Sequence, residues 1–255
     1  MPQASRLLAL ALLLPLIGCG NDIQTTSGTR YVAAYTQPVP TPDHRAKPGI
    51  PLSIDQEVVK AASVDPQLQI PGRFGLARIV NGRLTAIPEE EAEQWRGLVA
   101  KHTNLGEFVA ISPLVAALAA GDACRPYCDP IREIRLGAAR QHVDAVLVYE
   151  LGARTEKTNT LLAVADLTII GGAFLPTRTV SAEGVAQALL LDVRNGYPYG
   201  TASALADLSE LSPSFGSEAV RARLLEDAML LTVERLMPEV DAMIGKLIAA
   251  QLAAR

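Results

Sequence analysis

The segment Leu7–Ile17 is apolar throughout, preceded by a single charge, Arg6, and followed by Gly18 and Cys19. No other stretch constrains the chain so strongly. A stable helix across a bilayer needs roughly 20 apolar residues, so this run is too short to be a span. A positive start, a short apolar segment and a small residue before a cut describe a secretory signal. The rest of the chain is then expected to fold outside the cytoplasm, where disulfides persist. Read as residues alone, the segment leaves two alternatives: an ordinary signal peptide with a chance cysteine, or a buried N-terminal helix.

The four residues Leu16-Ile17-Gly18-Cys19 resemble the lipobox of bacterial lipoproteins, with Ile17 where that family usually has a small residue. The resemblance implies cleavage between Gly18 and Cys19 and lipidation of Cys19. Two or more acyl chains make such an anchor stable, at about 0.8 kcal/mol per buried methylene. It also implies an address. In enteric bacteria an aspartate directly after the lipidated cysteine retains a lipoprotein in the inner membrane. Here Gly20 fills that place and Asp22 comes two residues later. The expected location is the outer membrane, facing the periplasm, with the inner membrane as the alternative.

The chain has a formal charge of −4, and removal of residues 1–18 takes away only the positive charge of Arg6. A mildly acidic protein is a poor match for nucleic acid. A hydrophobic content of 49% supports a real core, and the length suits one domain plus a tail. From Gly20 to about Gly72 prolines punctuate the sequence, and Pro38-Val39-Pro40-Thr41-Pro42 favours extended polyproline II. Three regions are therefore expected: a signal over 1–18, a lipidated proline-rich tether over 19–72, and a folded domain over 73–255. Within the tether, Ser53 can cap a short helix over Ile54–Ala62.

In the domain, Phe74–Val80 and Arg83–Ile87 flank Asn81-Gly82, a strong hairpin signal. Pro88 stands where a helix would start, and Glu89, Glu90 and Glu91 complement its positive end as a solvated first turn. A short buried strand over Glu107–Ile111, a short alanine-rich helix or turn over Pro113–Ala120, a helix from Pro130 to His142 capped by Asp129, and an apolar strand over Asp144–Leu151 come next. Long strands are expected over Thr160–Ile170 and Ala182–Arg194, joined through Gly171-Gly172. The second should bury Val185, Gln187, Leu189, Leu191 and Val193 and turn Asp192 and Arg194 to solvent. Asn195-Gly196 then returns the chain over Tyr197–Leu205. From Ser217 the chain is helical, and Pro238 is expected to kink it or break it into a pair. The fold class is α/β (α+β): a mixed sheet with an antiparallel meander, helices packed on it, and a C-terminal helix pair.

Chemistry-bearing residues are sparse. Cys124 and Cys128 are natural disulfide partners in an oxidising compartment, although free thiols or metal and redox chemistry remain open to them. The bridge would close so small a loop that it would pin a turn and add little to global stability. His44, His102 and His142 stand at no metal-ligand spacing, and Asp166 fits a solvent-facing strand position. No nucleophile elbow, phosphate loop or paired catalytic acid is present, so the chain is expected to be no enzyme and to need no cofactor. Phe174 and Leu175 in the apolar tip after Gly171-Gly172 are candidates for contact with a membrane or a partner, or form a loop folded over the core; Tyr197 with Tyr199 on one strand offer a contact face or ordinary sheet packing.

The element order and the segments Val143–Tyr149 and Leu191–Tyr197 are similar to a group of envelope lipoproteins and periplasmic domains. It includes the curli-secretion lipoprotein, lipoprotein activators of penicillin-binding proteins, the N-terminal domain of the Tol-system propeller protein, and rhombotarget-like lipoproteins. The likeness spans roughly Phe74–Leu236 and carries over no functional residue. The tether and the absence of catalytic residues point to a non-catalytic lipoprotein that sits on a membrane by its lipid and binds or scaffolds another envelope protein. The alternatives are a ring or pore subunit, whose strands around Gly171 would enter the membrane, and an enzyme with an unrecognised site. Self-association is left open.

Overall fold

The computed structural model describes residues 20–34, 53–121, 129–159, 176–213 and 217–253. Seven strands form one mixed sheet: β1 (Gly20–Ile23), β2 (Gly72–Val80), β3 (Arg83–Thr85), β4 (Gly106–Ala110), β5 (Ala145–Asn159), β6 (Pro176–Asp192) and β7 (Pro198–Pro213). Their order is β1-β7-β6-β5-β2-β3, with β4 also on β2. The β2–β4 and β2–β5 pairs are parallel and the others antiparallel. Helices are α1 (Gly28–Ala33), α2 (Ile54–Ala62), α3 (Glu89–Lys101), α4 (Pro113–Ala120), α5 (Pro130–Arg140) and α6 (Ser217–Ala253). The expected class, a mixed sheet with an antiparallel meander and packed helices, is the observed one.

Several elements follow from local chemistry. Asn81 and Gly82 both take positive φ, 52° and 70°, as a two-residue hairpin turn requires. Ser53 and Gln56 form a reciprocal capping box at the start of α2. Asp129 accepts the Ile131 amide at 3.0 Å at the start of α5. The second turn differs from expectation: the chain closes from Asp192 to Tyr197, and only Gly196 there takes positive φ, 77°.

The helices make two layers. α6 and α3 cover one face, burying Trp95, Leu147, Leu190, Leu236, Val240 and Met243. α4 and α5 cover part of the other, over Ile79, Val146, Val148, Leu191 and Val193. This arrangement reverses the face expected for much of β6. Ala182, Gly184, Ala186 and Ala188 lie beneath α6, whereas Val185 and Gln187 are exposed. Small side chains win the covered face because α6 comes too close for large ones. A Cβ on Gly184 would collide with the Thr232 hydroxyl and lie 2.7 Å from the Ala228 carbonyl oxygen. Asp192, expected in solvent, is fully buried and accepts from the Tyr199 hydroxyl at 2.7 Å and the Arg194 amide at 2.9 Å.

Three other expectations are corrected. α6 is one continuous helix through Pro238 and not a pair. The proline lacks one amide and frees the Glu234 carbonyl. Both residues lie on the outer side of the helix, so water meets that carbonyl while Leu236 and Val240 on the inner side stay buried. β5 passes Gly152 and runs to Asn159, with Gly152 opposite Val185 and Arg154 opposite Glu183. β4 is a partly exposed edge strand, with Glu107 in solvent, where a buried one was expected. The region 160–175 lies outside the described residues, and with it the expected strand Thr160–Ile170 and Asp166.

The segment read as a tether is in part built into the domain. β1 pairs with β7, Gly20 opposite Ser203 and Ile23 opposite Gly200. Ser27 and Thr29 hydroxyls both donate to Asp65 at 2.6 Å and hold its carboxyl at about 2, below the usual carboxylate range. Tyr197 donates to the Thr26 carbonyl at 2.8 Å. The Tyr199 hydroxyl accepts the amides of Gln67 and Leu68 at 2.9 and 2.6 Å. Residues 35–52 lie outside the described residues.

The two glycines of the central hairpin separate close packing from backbone preference. Gly184→Ala should lower the stability of the domain by about 2–3 kcal/mol, the cost of overpacking, read from urea unfolding midpoints. Gly152→Ala, where nothing lies within 4 Å of an added Cβ, should shift stability by no more than about 0.5 kcal/mol. Equal effects would contradict the close approach of α6.

Candidate interaction surface

α4 is a short helix of apolar residues only, Pro113-Leu114-Val115-Ala116-Ala117-Leu118-Ala119-Ala120. Ser112 caps it, accepting the Val115 amide, and Pro113 takes the first position. The helix starts where it does because β4 is fixed just before it. Ile111 donates to the Leu76 carbonyl at 2.8 Å. The Gln141 amide accepts from Ser112 N at 3.0 Å and donates to the Ala110 carbonyl at 3.1 Å, as a neighbouring strand would.

What seats α4 on α5 is a contact of two small residues. A Cβ on Gly137 would lie 2.7 Å from that of Ala116, so only glycine permits the approach. Ala116 and Ala120 are therefore the buried positions of the helix, at 0% and 7% exposure. On the opposite side Leu114 and Leu118 stand at 80% and 81% exposure, with Ala117 and Gly121 completing an exposed stripe. The helix buries its alanines and offers its leucines to water. Burial of one leucine is worth about 1.5–3 kcal/mol, and the domain leaves that contribution unused twice on one face.

A cleft of about 630 Å³ opens between α3, the residues after β3, and β4. Ile87, Trp95, Val99, Phe108 and Ile111 line it, and it reaches Pro113 at the start of α4. Its wall is set by a buried ion pair. Arg78 donates to Glu91 through Nε at 2.9 Å and Nη2 at 2.7 Å, and the Tyr149 hydroxyl donates to the same carboxylate at 2.7 Å. Arg78 also reaches the Thr85 hydroxyl at 3.1 Å. Burial, with the Glu91 carboxylate beside it, pushes the Tyr149 hydroxyl far above its ordinary range. One turn after Glu91, Trp95 meets the Tyr149 ring at 4.9 Å between centroids. Glu89 and Glu90 are solvated as expected. Glu91 is not: it is the third residue of the helix and faces the sheet, where its partners are.

The open face of the sheet is less suited to a partner. The sheet face that α4 and α5 leave open carries polar groups such as Glu150, Gln187 and Thr201, and at its distal end Arg154 is already paired with Glu183.

Of the contact candidates expected from sequence, Tyr197 and Tyr199 are the described ones. Tyr197 and Tyr199 are buried, at 3% and 1% exposure, and hold the chain's own N-terminal segment, so neither is free for a partner. Gly18, Cys19, Cys124, Cys128, Phe174, Leu175 and His44 lie outside the described residues. His102 bonds Asp241, and His142 ends α5 with φ 56°. Among the described residues no group of three or more His, Cys, Asp or Glu could hold a metal ion. None of their helices is long and apolar enough to cross a membrane. The α4 stripe had a signal in sequence: an eight-residue apolar helix with no charge must expose part of its apolar surface unless it is enclosed on all sides.

No family model and no curated protein matches the chain. Among solved structures, it is similar to the C-terminal domain of LpoB from Salmonella enterica, at 11% identity over 55% of this chain and 84% of that one, with a TM-score of 0.29. It is similar to a minor lipoprotein from Acinetobacter baumannii, at 11% identity over 68% and 90%, with a TM-score of 0.34. The third, lipoprotein GNA1162 from Neisseria meningitidis, gives 14% identity over 72% and 100%, with a TM-score of 0.28. Likeness this weak carries no argument about what the chain does, and its function has to be read from its own residues.

The ion pair that holds the cleft wall should be costly to break from one side. Glu91→Ala leaves Arg78 buried without its partner, and about 3–5 kcal/mol of stability should be lost, measured by denaturant unfolding. A loss below about 1 kcal/mol, the range of exposed pairs, would contradict the network.

Proposed function

We propose that this chain is a lipid-anchored, non-catalytic protein of the bacterial envelope that binds another envelope protein through α4 and the cleft beside it. The observation that carries the reading is the inverted helix, with Leu114 and Leu118 in solvent above buried Ala116 and Ala120. Exposed leucines at i and i+4 beside an apolar cleft are the form of a protein-binding surface. The anchor is read from Leu16-Ile17-Gly18-Cys19: cleavage before Cys19, lipid on its sulfur, and, since Gly20 and not aspartate comes next, the outer membrane. A Cys124–Cys128 bridge just beyond α4 would pin the turn after this surface.

The test uses protein extracted from its native membrane. Its intact mass should correspond to a chain that begins at Cys19 and carries lipid, and the lipid should be lost in Cys19→Ser. A photo-crosslinker placed at Ala117 should give a discrete adduct in cells. Leu114→Ser with Leu118→Ser should abolish that adduct while the unfolding midpoint stays within about 0.5 kcal/mol of the parent, because both side chains already sit in water. An unlipidated mass contradicts the anchor. Absence of an adduct, or an adduct that survives the double substitution, contradicts the surface.

A further inference from the structure

The residue before β1 is Cys19, and β1 is held from its first residue, with Gly20 opposite Ser203. Successive Cα atoms are about 3.8 Å apart. An acyl group on Cys19 therefore leaves the chain one peptide away from the hydrogen-bonded sheet. A flexible tether over residues 19–72 would instead let the domain range over roughly 40 Å. The difference decides whether the domain has a fixed orientation on its membrane.

The sheet edge next to that residue is bordered by cations of α6. Lys246 Nζ donates to the Asn21 carbonyl at 3.2 Å, and Arg235 Nη1 to the Leu205 carbonyl at 2.8 Å. Arg235, Glu239, Ala242 and Lys246 recur every three or four residues and form one stripe along the helix. Glu239 on that stripe is engaged by Asn21 Nδ2 at 2.6 Å. Asp22 stands at the alternate position of β1, on the other face of the sheet. Arg235 and Lys246 are exposed, and neither forms an ion pair with another described residue. A guanidinium has five N–H donors and an ammonium three, so each keeps donors beyond the edge carbonyl that it caps.

We infer that the lipidated chain rests on the bilayer by its β1–β7 edge, with Arg235 and Lys246 against phospholipid phosphates. α4 then faces away from the membrane. It adjoins β4, which lies five strand spacings from β1, about 24 Å at the usual separation. The inference rests on Cys19 carrying the lipid, as proposed for the anchor. It deepens that proposal by fixing which side of the domain a periplasmic partner can reach.

The test is depth-resolved quenching on the full lipidated protein, in vesicles of phosphatidylethanolamine and phosphatidylglycerol that contain headgroup-nitroxide lipid. A fluorophore is attached at Ala242→Cys or at Ala117→Cys, each with Cys124→Ser and Cys128→Ser. Quenching at 242 should exceed that at 117 several-fold. Arg235→Glu with Lys246→Glu should bring it down toward the value at 117. Equal quenching at the two sites, in a chain whose intact mass includes the lipid, would overturn the orientation. Unchanged quenching after the double charge reversal would overturn the phosphate contact. A mass without lipid would mean that the anchoring proposal itself had failed.

Discussion

The approach of α6 to the sheet over a strip of small residues is the constraint from which most of this fold follows. Gly184, Ala186 and Ala188 on β6 and Ala202, Ala204 and Ala206 on β7 are all buried under that helix. At Gly184 no side chain fits between the sheet and the Ala228 carbonyl. Once that face is fixed, the alternation of the strand sends Val185 and Gln187 to the open side. A helix of 37 residues lying along the strands also reaches the sheet edge. There its polar side chains meet β1 through Asn21, Glu239 and Lys246. The same packing keeps α6 continuous through Pro238. Breaking it would expose Leu236, Val240 and Met243, each at 0% exposure. At about 1.5–3 kcal/mol per large apolar side chain, that outweighs the roughly 3 kcal/mol of a mid-helix proline.

The other end of the sheet is organised by a different interaction. Arg78 on β2, Tyr149 on β5 and Glu91 on α3 meet in one buried cluster, which fixes the first turn of α3 against two parallel strands. Trp95 is placed by it and walls the cleft. On the reverse face the contact of Gly137 with Ala116 seats α4 on α5 and sets which of its residues face water. The exposed leucines are thus a consequence of where the smallest residues had to go. Structure and proposed function meet at that point: the domain forgoes burial of two large side chains in order to keep a rigid apolar face beside an apolar cleft.

Much of this was readable in the chain. The Asn81-Gly82 turn, the caps at Ser53 and Asp129, and the mixed sheet with its antiparallel meander all follow from residue chemistry within a few positions. What was not readable depended on distant partners. The apolar alternation of Val185, Leu189, Leu191 and Val193 suggested the wrong face for the outer part of β6. Hydropathy weights large side chains, whereas close packing selected glycine and alanine. Glu91 looked like its solvated neighbours Glu89 and Glu90 because nothing local announces Arg78 and Tyr149. The tyrosines at 197 and 199 could be read as sheet packing, but what they hold could not be read, because those segments, around Thr26 and Leu68, lie more than a hundred residues away. β1 has four residues and no clear alternation, and its partner is some 180 positions on. The stripe on α4 was legible as composition but not as orientation.

The N-terminal segment has the greatest consequence for function. A tether would make the domain a freely swinging module, whereas a strand makes it a body with a defined lower and upper side. Native-state amide hydrogen exchange across Asn21, Asp22 and Ile23 in the mature, membrane-extracted protein separates the two most directly. If β1 is a strand of the sheet, its amides that bond β7 exchange far more slowly than an unstructured chain and lose that protection together with Ala202 and Ser203. Exchange at the free-chain rate over residues 20–23, with β7 still protected, would contradict it and return the segment to a tether.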